Sequence, residues 1–116
     1  MRNANQMRDA HASGAGDLKL SFGDPASPSV GTEFIGTSIS STFPESFIPL
    51  VEAAVRETPY AKYFEARRRG YVRCTLDAKE WRSDYRYVST TKQPEATIET
   101  GASFVVNDGS NTVARA

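Results

Sequence analysis

The 116-residue sequence predicts an α+β chain, a mostly antiparallel sheet with one main helix. Three observations predict it. Residues 70–88, GYVRCTLDAKEWRSDYRYV, alternate in two runs joined by one turn. Val72, Cys74 and Leu76 oppose Tyr71, Arg73 and Thr75; then Trp81, Ser83, Tyr85 and Tyr87 oppose Arg82, Asp84, Arg86 and Val88. Period-two alternation marks half-buried strands, because successive side chains leave a strand on opposite faces. Earlier in the chain, Phe47, Leu50, Val51, Ala54 and Val55 fall at i, i+3, i+4, i+7 and i+8, the spacing that gathers apolar side chains on one helix face. Finally, the only Trp, the only Cys and three of the five Tyr lie in the hairpin, so the other elements are expected to pack on it.

In chain order, residues 1–17 are rich in Asn, Ala, Gly and Ser without periodicity, a composition that predicts a disordered or loosely attached arm. Leu18, Leu20 and Phe22 alternate with Lys19 and Ser21 as in a short edge strand. Residues 23–31, GDPASPSVG, read as a loop. Residues 33–39, EFIGTSI, read as a strand closed by Ser40, Ser41 and Thr42. Ser46 is placed to cap the helix, Pro49 is tolerated in its first turn, and Thr58 before Pro59 ends it. Residues 59–66, PYAKYFEA, read as a second short helix delivering the chain to Arg67, Arg68 and Arg69. Asp77 and Glu80 have capping-box spacing, which predicts one helical turn between the hairpin strands. Residues 96–106 read as a last strand with a bulge at Gly101, followed by a turn at Asn107, Asp108 and Gly109 and a frayed tail.

Composition bounds the rest. An apolar fraction of 39% and a charged fraction of 24% are ordinary for a globular domain or a piece of one. Net charge is zero, so nothing global points to nucleic acid or a membrane. Locally, residues 62–92 hold nine Lys or Arg against four Asp or Glu, a basic segment offset by an acidic remainder. One Cys excludes an internal disulfide. No run of about 18 apolar residues is present to cross a membrane as a helix, and the first residues lack the apolar region of a signal peptide. These few elements leave a sheet covered on one face only, which ordinarily continues into more chain.

Three blocks bear on that continuation. They are GTEFIGTSISS (31–41), RRRGYVRCTLDAKEWRSDYRYV (67–88) and ASFVV (102–106). In this order and spacing they closely resemble the C-terminal end of PhoD-type alkaline phosphatases, and the resemblance covers about residues 9–108. It implies the C-terminal part of a metallophosphoesterase-type two-sheet sandwich over residues 18–108, preceded by the 1–17 arm and followed by the 109–116 tail. Family members are secreted or periplasmic enzymes that hydrolyse phosphate mono- and diesters with calcium and iron at the sheet edge. Upstream, Asp9 and His11 stand where the family has a Gly-Asp-x-His motif, whose His belongs to the metal and phosphate site. Arg8 replaces the motif's Gly, Gly14 replaces a usual aromatic residue, and the apolar strand leading into the motif is replaced by MRNANQM.

Metal-assisted phosphoryl transfer needs one or two cations held by several oxygen and nitrogen ligands, more than one His and one Asp supply. The expectation is therefore a family fragment inactive by itself, with calcium and iron not bound by this chain alone. Its substrate would be a phosphate ester in the complete enzyme, and a complementing chain is the partner it would take. His11 is the metal-ligand candidate; on the other reading it lies on the arm. Arg67, Arg68 and Arg69, with Arg73, form an anion site or a solvated turn. Thr37 and Ser38, with Ser40 and Ser41, line the substrate side or serve turn chemistry. Trp81, Tyr85 and Tyr87 form a stacking platform for bases or serve core or cross-strand packing. Cys74, between Val72 and Leu76, reads as core and not as a nucleophile. The alternative function is a non-catalytic module that binds anions or a partner through the basic strand face; no nucleic acid or membrane is expected as a partner.

Overall fold

The computed structural model describes residues 12–21, 24, 26–39 and 44–116. In chain order these form β1 (Ser13–Lys19), β2 (Ser29–Ile35), a 3-10 turn (Glu45–Phe47), α1 (Ile48–Arg56), β3 (Ala61–Glu65), β4 (Gly70–Leu76), β5 (Glu80–Val88), β6 (Ile98–Asn107) and β7 (Ala114–Arg115). The strands make two antiparallel sheets, sheet A in the order β2-β1-β3 and sheet B in the order β4-β5-β6-β7. The predicted pattern of mostly antiparallel strands with one helix is thus present, arranged as two sheets.

The sheets meet at a shared core. Ala15 of β1 packs with Tyr85, Tyr87, Ala102 and Phe104 of sheet B, joined at its edge by Phe34, Tyr63, Val72 and Val113. Aromatic rings set the geometry: the Tyr63 ring lies 4.9 Å from Tyr85 and 5.2 Å from Phe104, and Tyr85 meets Phe104 edge-on at 5.9 Å. Tilted and edge-on pairs of this kind are the favoured arrangement of two ring quadrupoles. The opposite face of sheet A carries α1, where Ile48 packs with Ala12, Ala66 and Phe64.

Sheet A therefore lies between α1 and sheet B, and this explains two departures from expectation. β1 is the central strand of sheet A and no loose arm from Ala12 onward; every residue from Ser13 to Asp17 is buried. Its sequence, SGAGDLK, hides the strand because small side chains are what the space between two layers admits. Leu20, expected on an edge strand, is exposed beyond the end of β1. β3 replaces the expected second helix. Tyr63 points to sheet B and its neighbour Phe64 to α1, so both faces are apolar and the alternation that identifies a strand is lost.

Smaller corrections have local causes. β2 begins inside the expected loop and ends at Ile35, before the expected limit of 39. Ser46 sits within the 3-10 turn, and α1 starts at Ile48 without a side-chain cap. Its buried stripe is Ile48, Val51 and Val55, while Phe47 and Leu50 are exposed. No helical turn links β4 to β5. Asp77 Oδ1 accepts from the backbone N–H of Lys79 (2.7 Å) and Glu80 (2.9 Å), closing a tight turn with the same side chain a cap would use. The bulge is where expected: the β5–β6 register slips between Tyr85 and Arg86, opposite Gly101. A Cβ there would lie 2.5 Å from the Tyr87 ring, so glycine lets the bulge close on the tyrosine. The tail is tied down in part, since β7 pairs with β6 and the Arg115 guanidinium sits 5.1 Å from the Phe104 ring centre. Cys74 is exposed and not core. Among the described residues no helix is long and apolar enough to cross a membrane.

Candidate functional site

Antiparallel register gathers six strand ends at one edge of the molecule. Gly14 pairs with Ile35 and Ser13 with Glu65, so β1 starts where β2 and β3 end; Gly70 pairs with Tyr87 and Ile98 with Val88, so β4 and β6 start where β5 ends. The chain crosses from sheet A to sheet B at this edge through Arg67, Arg68 and Arg69. Two backbone hydrogen bonds fasten the crossing: Gly70 N–H donates to the Ser38 carbonyl (3.3 Å) and Val88 N–H to the Arg69 carbonyl (2.9 Å).

A cleft of about 610 Å³ opens here, its wall including Ile48, Ala66, Arg67, Arg68, Arg69 and Lys92. The three arginines are held differently. Arg69 is buried; it donates through Nη1 to Ser38 Oγ (3.2 Å) and through Nη2 to the Ala66 carbonyl (2.7 Å). Burial lowers its guanidinium pKa from the usual arginine value, opposed by Glu65 and by Tyr87. Arg68 pairs with Glu65 (3.2 Å) and Glu99 (3.6 Å) and lies 4.2 Å above the Tyr87 ring centre. Arg67 is more exposed and pairs with Glu52 at 3.0 Å. Glu65 Oε1 also accepts from the backbone N–H of Arg67 (2.7 Å) and Arg68 (3.3 Å), so one carboxylate shapes the turn that presents the cations.

Of the residues singled out by sequence, Ser38 and Arg69 touch, and Arg67 and Arg68 share the cleft wall with Arg69. Thr37 is half-buried and does not belong to the wall. Asp9, His11, Ser40 and Ser41 lie outside the described residues. Ala12, which follows His11 in sequence, is buried against Ile48 and Ala66, and both of these line the cleft. The glutamates that fix the arginines, Glu52, Glu65 and Glu99, escape sequence reading, although Glu65 to Arg68 is a spacing at which opposite charges often pair. Lys92 lies in the connection between β5 and β6 and was not singled out by sequence.

No group of three or more His, Cys, Asp or Glu able to hold a metal ion occurs among the described residues. The described residues therefore do not by themselves fit a metal centre. Nor do the buried tyrosines provide a base. The Tyr63 and Tyr87 hydroxyls bond each other, and burial raises both phenol pKa values above the ordinary one. Both stay protonated and act as structure.

The outer face of sheet B is basic but largely committed. Asp84 is buried there and accepts from Ser103 Oγ (2.6 Å), Arg73 Nη2 (3.2 Å) and Arg82 Nε (3.1 Å). The Ser103 hydrogen bond, followed by the two guanidiniums, lowers its carboxyl pKa against the opposing effect of burial. A folded-state pKa below the unfolded one adds stability above the unfolded value, near 3.9, and loses it as pH falls through the folded value. Asp84→Asn is expected to cost about 1–3 kcal/mol at pH 7, because the buried side chain loses the charge that strengthens its bonds to Ser103, Arg73 and Arg82. In urea melts the difference from wild type should shrink as pH drops below about 4; a difference independent of pH would show that charge is not the cause.

A family model described as PhoD-like phosphatase matches residues 8–85. The chain is 39% identical over 98 residues to alkaline phosphatase D of Bacillus subtilis (strain 168), covering 84% of this chain and 17% of that protein. A solved structure of PhoD matches with a TM-score of 0.72 at 31% identity, covering 92% of this chain and 20% of that one. The chain thus spans about a fifth of the length of the relatives it matches.

Proposed function

This chain belongs to the PhoD-like phosphatase family, and from that premise we propose that it forms the C-terminal part of a metal-dependent phosphate-ester hydrolase whose remaining ligands lie in upstream sequence. The edge where six strand ends meet is its active-site side, and its two sheets belong to a metallophosphoesterase-type sandwich. The observation that carries this reading is the packing of Ala12 on Ile48 and Ala66. It brings the start of β1, directly after Asp9 and His11, to a cleft walled by three arginines. Guanidinium groups suit phosphate because their forked donors match its oxygens. Arg69, anchored to Ser38, is a wall of this site, and Arg67, on the exposed side, is the arginine best placed to reach a phosphate ester.

Calcium and iron, which the family resemblance implies, would supply the activated water. His11 would be one ligand to them, the others coming from the upstream portion. The competing idea, a binding module using the basic face of sheet B, is weaker because Asp84 already engages two of that face's guanidiniums.

The test is hydrolysis of aryl phosphate monoesters and diesters by the purified chain, with calcium and ferric iron added. The expected outcome is no turnover above the protein-free control. Turnover by the chain alone would overturn the assignment of the missing ligands to upstream sequence, and its loss in His11→Ala would place a working site within these 116 residues.

A further inference from the structure

The inner face of sheet B does not stop where sheet A stops. Register places Leu76, Trp81 and Val106 in one row across β4, β5 and β6, and Cys74, Ser83 and Phe104 in the next. Tyr85 and Ala102 follow in the row beyond, inside the core. All of these side chains leave sheet B on the same side, because each is two residues from its neighbour on the strand. Trp81 Nε1 donates to Ser83 Oγ (2.8 Å), and Cys74 Sγ lies 3.9 Å from the same hydroxyl, which ties the outer row to the inner one.

Only the inner rows are covered. Phe104 is 3% and Tyr85 0% exposed, whereas Leu76 is 69% and Trp81 39% exposed. Cys74 is exposed as well. The apolar alternation of the hairpin therefore runs its full length while sheet A covers half of it. An apolar strip that continues a core without a break, with an indole held by a hydrogen bond, has the composition of an interface centre.

We propose that this strip, Leu76, Trp81 and Cys74 with Val106 beside them, is the docking surface for the upstream portion of a PhoD-like phosphatase chain, which it binds when supplied as a separate polypeptide. Two observations choose that occupant. The strip is continuous with the core between sheets A and B, so what covers it extends the layer that sheet A begins. The solved PhoD structure contains this chain's arrangement within about a fifth of its length. The other four-fifths lie outside this arrangement, and of the two faces of sheet B it is the inner one that runs on apolar past sheet A, while the outer one carries the cluster of Arg73, Arg82 and Asp84. The inference rests on family membership but not on the catalytic reading.

The experiment is co-expression of the tagged chain with B. subtilis alkaline phosphatase D truncated before the segment that this chain matches, followed by affinity capture. Wild type is expected to capture the truncated protein and not the full-length one, whose own C-terminal part fills the same place. The double variant Leu76→Asp, Trp81→Asp is expected to lower capture about tenfold or more, as loss of central interface residues does. Phe47→Asp with Leu50→Asp, also exposed but in the 3-10 turn and α1, is expected to leave it unchanged. Circular dichroism of each variant verifies folding; both pairs are exposed, so both should fold. No capture by wild type, equal capture of full-length protein, indifference to the strip variant, or self-association of the chain through the strip would each overturn the proposal. Capture without turnover would leave it standing and count only against the catalytic reading.

Discussion

Gly70→Ala should lower the melting temperature by roughly 10 °C or prevent soluble expression, although it adds one methyl group. A Cβ at Gly70 would lie 1.8 Å from the Arg86 carbonyl oxygen, 2.8 Å from its carbon and 2.9 Å from Tyr87 Cα. These are backbone atoms of β5 and cannot rotate away. Relief requires β4 to move from β5, which breaks the Gly70–Tyr87 pairing and the bond from Gly70 N–H to Ser38 at the crossing between sheets. Overpacking of side chains costs about 1–3 kcal/mol; overlap with fixed backbone belongs at the upper end or above, a large share of a domain's usual 5–15 kcal/mol. Gly31→Ala is the control, since the nearest atom to its Cβ is Leu18 Cδ1 at 3.8 Å, ordinary contact. Thermal melts followed by circular dichroism at 222 nm decide the matter. Equal melting temperatures for the two variants would show that β4 is not seated against β5 as described.

How far the fold could be read from sequence follows from which faces are covered. β4 and β5 were legible because each has one apolar and one polar side, and the bulge at Gly101 was legible because glycine interrupts an otherwise strand-like run. β1 and β3 were not. Ser13 to Asp17 carry little apolar bulk because α1 and sheet B press on them from both sides, and Tyr63 beside Phe64 breaks alternation for the same reason. Burial on two faces erases the pattern that burial on one face writes. The assignment of Cys74 to the core erred in the opposite sense. Its strand pattern is right, but pattern reports which way a side chain points and not whether another layer reaches that far along the strand.

The candidate site divides along the same line. Ser38 and the three arginines could be named from residue type, and the structure brings Ser38 to Arg69. Their neutralising partners could not, because Glu52 and Glu99 come from elements 15 and 31 residues away from the arginines they meet, and only the fold fixes those distances. Arg67 and Arg68 each pair with a carboxylate, so the cleft is less cationic than the run Arg67, Arg68, Arg69 suggests, and Lys92, from the connection between β5 and β6, adds a cation outside that run.

The second large effect is expected at Tyr85. Its ring is fully buried at the junction of the sheets, against Tyr63 and Phe104, and its hydroxyl donates to the Gly14 carbonyl of β1. Tyr85→Ala removes the ring that both sheets share and should cost about 3–5 kcal/mol, the range for a buried aromatic side chain replaced by alanine. Tyr85→Phe keeps the ring and loses only the hydrogen bond, for about 1 kcal/mol. Urea denaturation at pH 7 separates the two, and the ordering carries the information. If Tyr85→Phe were as damaging as Tyr85→Ala, the bond to β1 and not the aromatic cluster would hold the sheets together. If both were mild, sheets A and B would be joined mainly by the crossing at Arg69 and Gly70. The expected order, Ala far below Phe, follows from where the residue sits: its ring lies within the aromatic cluster through which sheet A, on one side, and the hairpin, on the other, pack together.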